Sequence, residues 1–214
     1  MEKLPLLIFF LSTLCLSVGA QKNNTGAIGI GLKAGYNFAK VTGASSVTAA
    51  NTNGFHFGAF YSPGNSKGLG YRTEIIYSKQ GYDFAKGNTT GSVKLDYILL
   101  PQLTTVNITK FVQLQLGVQI AFLINAKADS AVNNGGSNPY NKVADYYNKF
   151  DYGFAGGVEI HPLEGLLVGA RLNISLANTN KDQATTIGLP AYLPNASGAN
   201  LKNNVLQIFA GFKF

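Results

Sequence analysis

Residues 111–127 read FVQLQLGVQIAFLINAK, and the two faces of this stretch are opposites. Val112, Leu114, Leu116, Val118, Ile120, Phe122 and Ile124 share one parity, while Gln113, Gln115, Gly117 and Gln119 share the other. A period of two separates an unbroken apolar face from a glutamine-lined one, whereas a helix through the same residues would have no coherent face. Strands of soluble proteins usually end after about five or six residues. This pattern persists over a length suited to crossing a bilayer at a tilt, and it reads as one transmembrane β-strand.

The alternation recurs in seven further segments, 27–41, 54–62, 69–84, 92–104, 150–161, 166–177 and 203–214. In 27–41, for example, Ile30, Leu32, Tyr36 and Phe38 oppose Gly31, Lys33, Gly35 and Asn37. In 92–104, the parity of Val93, Leu95, Tyr97, Leu99 and Leu103 is assigned to lipid, and that of Lys94, Asp96 and Gln102 to the interior. Connection lengths form a second pattern. Stretches 42–53, 128–149 and 178–202 are long and rich in Asn, Gly, Ser and Thr, whereas 63–68, 106–110 and 162–165 are short. Only 85–91 is short where a long loop is allowed. Short periplasmic turns and long outer loops are the arrangement of outer-membrane barrels, and eight strands place both termini on the periplasmic side.

Backbone amides that face hydrocarbon without partners cost several kcal/mol each, so an open sheet with this lipid-compatible face is untenable and the strands must close. The expected fold is all-β, an eight-stranded antiparallel up-and-down transmembrane β-barrel. Its interior is only wide enough for side chains to fill. Arg72, Glu74, Lys94, Asp96, Gln113, Gln115, Gln119, Asp151, Glu159 and Arg171 are therefore expected to form a lumen polar network, because each charge would be costly unpaired. Tyr61 and Tyr71 fall near the periplasmic rim and Phe55, Phe57, Phe150 and Tyr152 near the outer one, as two aromatic girdles.

Ahead of the first strand, residues 1–20 have a lysine at position 3, an apolar core from Leu4 to Val18, and small residues at Gly19 and Ala20. This is the layout of a secretory signal peptide, with cleavage after Ala20 and a barrel domain over 21–214. The competing reading, a membrane anchor, needs a longer apolar run. Cys15 is the only cysteine, and Ser12, Thr13 and Leu14 before it do not make a lipobox, so the mature chain depends on neither disulfides nor thiol chemistry. The formal charge is +7. Its Lys and Arg residues are dispersed and not clustered among aromatics, so anionic lipid headgroups are the expected partner and nucleic acid is not.

Three stretches resemble the outer-membrane β-barrel domain family that includes PorT-like and small porin-like proteins: IGIGLKAGYNFAKV after the expected cleavage site, LDYILLPQL at 95–103, and VQLQLGVQIAFLINAK. The final GFKF adds to this, since Phe214 with Phe212 two before it is similar to the assembly signal read by the barrel-assembly machinery. Gly211 sits closer to the end than that signal usually places a glycine. The resemblance implies an outer-membrane location and, for PorT-like members, a part in protein secretion; a monomer is expected.

His56 and His161 are the only histidines, both on the inward parity but toward opposite ends of the barrel, so they are not expected to meet in a catalytic site. Arg72 with Glu74 and Lys94 with Asp96 suggest a proton path, against which stands structural pairing in a lumen without room for a water file. Gly29, Gly31 and Gly35 lack the following helix of a phosphate loop, and read as places where lumen side chains approach the wall. No catalytic, metal or cofactor site is expected. Tyr140, Tyr146 and Tyr147 are the candidate exposed loop contacts. The reading placed first is a structural or surface-binding protein acting through its outer loops, with a secretion subunit next, and a narrow porin or lipid-modifying enzyme below.

Overall fold

Alternating residues on neighbouring strands can all be satisfied at once only if the strands share one inside and one outside, and the chain achieves this as a closed ring. The computed structural model describes residues 28–43, 48–63, 68–86, 89–132, 136–137, 141–181 and 201–214. The expected signal peptide, 1–20, and Tyr140 lie outside the described residues. The elements are β1 (Ile28–Thr42), the short β2 (Thr48–Ala50), β3 (Thr52–Pro63), β4 (Leu69–Lys86), β5 (Thr89–Asn107), β6 (Val112–Val132), the short β7 (Gly136–Ser137) and β8 (Asn141–Lys142), a 3-10 turn over Ala144–Tyr146, β9 (Phe150–Ile160), β10 (Leu166–Ser175) and β11 (Lys202–Lys213).

Eight of these strands make the wall. Each pairs antiparallel with the next, through β1–β3, β3–β4, β4–β5, β5–β6, β6–β9, β9–β10 and β10–β11. The ring closes where β11 returns to β1, from Gly31 opposite Lys213 to Thr42 opposite Lys202. Closure leaves no open edge to face lipid. At the short-turn end Gly165 has φ 79°, a left-handed conformation suited to glycine, and its carbonyl accepts from Lys213 N at 2.7 Å. Turn 108–111 is held by Thr109 Oγ1, which accepts from Phe111 N and Val112 N.

The outer face carries the parity read from 111–127. Leu114, Leu116, Val118, Ile120, Phe122 and Ile124 are all exposed, as are Leu32, Tyr36, Phe38, Phe154, Val158 and Leu206 on neighbouring strands. Toward the loop-rich end the aromatics touch one another, with Phe57 and Tyr77 centroids 5.2 Å apart and Phe122 and Phe150 5.6 Å apart. Tyr61 and Tyr71 are exposed toward the other end. The glycine-rich face of β1 works as expected for a crowded lumen: a Cβ on Gly31 would meet Phe60 Cζ at 2.1 Å, and one on Gly35 would meet His56 Cε1 at 2.7 Å.

The structure corrects the assignment of β5. Val93, Leu95, Tyr97, Leu99 and Leu103 point inward and are buried, whereas Lys94 is exposed on the outside. Asp96 is buried, yet it too belongs to the outer parity: its carboxylate accepts from Asn125 Nδ2 at 2.8 Å and bonds the Tyr77 side chain. Beyond the aromatic band the outside is no longer apolar, so a soluble-protein rule takes over there, with apolar residues in and polar residues out. β4 behaves likewise, turning Tyr82 and Phe84 inward. β6 joins this arrangement through a bulge: its register against β5 slips between Asp96 and Tyr97, leaving Ile124 unpaired, and its inward residues change from Ala121 and Leu123 to Ala126 and Ala128. Ile98 and Leu100 keep the other face of β5 apolar lower down.

This inversion predicts opposite results for two neighbours. Leu95→Asp puts a carboxylate among buried apolar side chains and costs more than about 2 kcal/mol, while Lys94→Gln stays within about 0.5 kcal/mol. Denaturant unfolding of the refolded barrels, followed by circular dichroism, measures both. Equal stabilities would return β5 to the opposite parity.

Candidate functional site

The lumen is filled in layers, and β4 passes through all of them, with Arg72 and Glu74, then Ile76, then Ser78 and Gln80, then Tyr82 and Phe84 facing inward. At the short-turn end is the charged layer. Glu74 receives Arg171 in a two-pronged contact, Nη1 to Oε2 at 2.6 Å and Nη2 to Oε1 at 2.9 Å, and Lys33 Nζ lies 2.8 Å from the same Oε2. Arg72 pairs with Glu159 and reaches Gln113 Oε1 at 3.2 Å, and Arg171 also donates to Gln115. Every ion in this layer is buried, and every carboxylate has a guanidinium partner, which offsets the loss of hydration. Phe60, Leu167 and Phe209 pack among these charges, with Arg72 4.5 Å above the Phe60 ring and Lys33 4.1 Å above that of Phe209.

Of the lumen network expected from the sequence, Arg72, Glu74, Gln113, Gln115, Glu159 and Arg171 come together here. Asp151 and Gln119 also belong to the interior but lie in the next layer up, and Lys94 and Asp96 lie outside the barrel. Lys33, Phe60 and Phe209 were not in that network. Their signal is parity: each shares the inward register of a strand whose outward residues were already assigned. His161, just beyond β9, stands 3.6 Å from Glu159, and its partial burial outweighs that carboxylate and holds it below the ordinary histidine range. His56 is in a different layer, where its Nδ1 meets Asn37 Oδ1 at 2.7 Å, so the two histidines do not meet.

The middle layer is built from amides and hydroxyls. Asn37 Nδ2 donates to Ser78 Oγ and to the Lys79 carbonyl, and Gln207 Nε2 donates to Asn37 Oδ1. Above it lies an apolar plug of Val41, Tyr82, Phe84, Leu95, Tyr97, Val143, Tyr147 and Leu201. Tyr147 is thereby a correction. It is fully buried rather than an exposed loop contact, and its hydroxyl lies 2.8 Å from that of Tyr82. Tyr146 is half-buried against the same plug. Two connections are stitched together over it: Asn148 N donates to the Thr179 carbonyl at 2.9 Å, Lys181 N to Tyr146 at 3.0 Å, and Thr179 N to Leu201 at 2.6 Å.

A closed ring of eight antiparallel strands, apolar outside through its central band and holding a layer of paired ions inside, defines a transmembrane β-barrel. The chain belongs to the outer membrane protein beta-barrel domain family, whose model matches residues 19–181. It is therefore a small outer-membrane β-barrel protein. Among curated proteins none matches it. Among solved structures, Ail, the attachment invasion locus protein of Yersinia pestis, in complex with the heparin analogue sucrose octasulfate, is similar in fold, at TM-score 0.50 and 17% identity over 87% of this chain and 99% of that one. Neisserial surface protein A aligns at TM-score 0.49 and 17% identity, covering 86% of this chain and 97% of its own. OprG from Pseudomonas aeruginosa aligns at 0.46 and 15%, covering 88% and 97%.

Proposed function

We propose that this protein is a surface-binding barrel, a closed platform that presents its outer connections to a partner, with no enzymatic turnover and no open pore. The observation that carries the reading is the plug: Tyr82, Phe84, Leu95, Tyr97, Val143, Tyr147 and Leu201 occupy the lumen above a layer of paired ions, so small solutes have no continuous path. The wall of β4, β5 and β6 continues past the aromatic band with Lys79, Lys94, Asn125 and Lys127 on its outer face, a polar surface suited to water and not to hydrocarbon. His56, held by Asn37 and buried, is not offered to a substrate at the rim.

Removing residues 133–140 and 182–200 keeps Val143, Tyr147 and Leu201 of the plug. The trimmed protein is expected to fold and insert but to lose the surface interaction of the full chain, measured by binding to cells or to an extracted partner. Full-length protein in planar bilayers is expected to show no steady conductance of nanosiemens size, and such channels would sink the closed-platform reading. Binding that survives both deletions would move the function to the periplasmic turns and favour a PorT-like secretion subunit.

A further inference from the structure

Between the charged layer and the apolar plug the interior holds a cavity of about 10 Å³, whose polar lining is Gln80, Gln119, Asp151, Asn173, Ser175 and Asn203, with Leu99, Ala121 and Val205 among its apolar lining. That is room for one water-sized particle. We propose that this chamber is a binding site for a single small monovalent cation of sodium type. Three buried amide oxygens at its wall, Gln119 Oε1, Asn173 Oδ1 and Asn203 Oδ1, have no hydrogen-bond partner among the described residues. The orientation of Asn203 is fixed, because its Nδ2 donates to Gln80 Oε1 while Gln80 Nε2 donates to Ser78 Oγ. Asn173 is 3% exposed and Asn203 4%.

The fourth oxygen group is Asp151, which is 8% exposed. Its carboxylate accepts the Ser175 hydroxyl at 2.6 Å and backbone amides of Tyr152 and Ala177, and no basic side chain pairs with it among the described residues. The lumen cations Lys33, Arg72 and Arg171 are committed to Glu74 and Glu159. A buried carboxylate without a counter-charge is costly.

Water and cation can be compared group by group. A water would accept from Asn173 Nδ2, also without a partner, and donate to two of the amide oxygens. It would leave the third oxygen and the carboxylate's charge unanswered. A cation takes all three oxygens and the charge together, and leaves only Asn173 Nδ2 unanswered. One carboxylate with three neutral oxygens suits a single charge, whereas calcium sites gather six to eight oxygens, several of them from carboxylates.

The test compares thermal unfolding of the full barrel in lipid vesicles at equal ionic strength in sodium chloride and in N-methyl-D-glucammonium chloride, an ion too large for the chamber. Sodium at about tenfold over its dissociation constant is expected to raise the transition by about 3–6 °C, a rise that continues with the logarithm of its concentration. Asp151→Asn is expected to abolish the difference. Asn173→Leu, which fills the chamber without touching the carboxylate, is expected to do the same if the first variant fails to fold. Equal transitions of the unaltered protein in the two salts would overturn the site in favour of a water or a protonated Asp151. A sodium effect that persists in folded Asp151→Asn or Asn173→Leu would also overturn it, and would place the ion among the lipid headgroups.

Discussion

Glu74→Ala is expected to lower the unfolding free energy of the barrel by about 3–5 kcal/mol, the penalty for stranding a buried charge. Glu74 is the acceptor for Arg171 through both oxygens and for Lys33, and all three side chains are almost fully out of solvent. Removing it leaves two cations in the lumen facing each other, with Arg72 nearby and Glu159 as the remaining carboxylate of the layer. The companion variant Glu74→Ala with Lys33→Met removes one of the stranded charges and is expected to recover part of the loss. Guanidinium unfolding in lipid vesicles, read by circular dichroism, gives both values. A loss under about 1 kcal/mol for the single variant would mean that water reaches this layer, and the closed lumen would fall with it.

Why the central barrel was legible and its outer end was not follows from where the solvent changes. Within the bilayer one face of each strand meets hydrocarbon and the other a polar interior, so residues 111–127 declare their faces by composition alone, and Leu116 and Gln115 fall where that composition puts them. Past the aromatic band both sides of the wall change character. The apolar parity of β5, Val93, Leu95 and Tyr97, still reads as lipid-facing, yet the structure places it in the plug, because the alternative outside is water. Period two reports that two faces differ; it does not report which solvent lies on either side. The bulge at Ile124 compounds this, since a one-residue slip exchanges the faces of everything beyond it, Ala126 and Ala128 included. Tyr147 departs from its expected exposure for a related reason. A tyrosine in a polar connection looks like a contact residue until the apolar interior that it covers, Tyr82 and Leu95 among others, is known to lie beneath it.

The same reasoning singles out Leu116 as the most exposing test of the lipid face. It is 68% exposed in the protein alone, stands midway along the apolar run of β6, and sits opposite Gly156 of β9, whose missing side chain leaves it uncovered. In water such a leucine would be a liability, but in a bilayer it meets acyl chains, and a charge there must be buried in hydrocarbon or dragged to an interface. Leu116→Arg is therefore expected to cost about 2–4 kcal/mol, and Ile124→Arg, close to the outer edge of the apolar band, about 0–1 kcal/mol. Both are read by denaturant unfolding in lipid vesicles against the unaltered protein. The depth dependence is the informative part, because a core leucine of a soluble protein would show no such gradient along one strand face. Equal costs at the two positions, or a larger cost at Ile124, would shift the hydrocarbon band toward the loop-rich end and take the polar wall of Lys94 and Lys127 into the membrane with it.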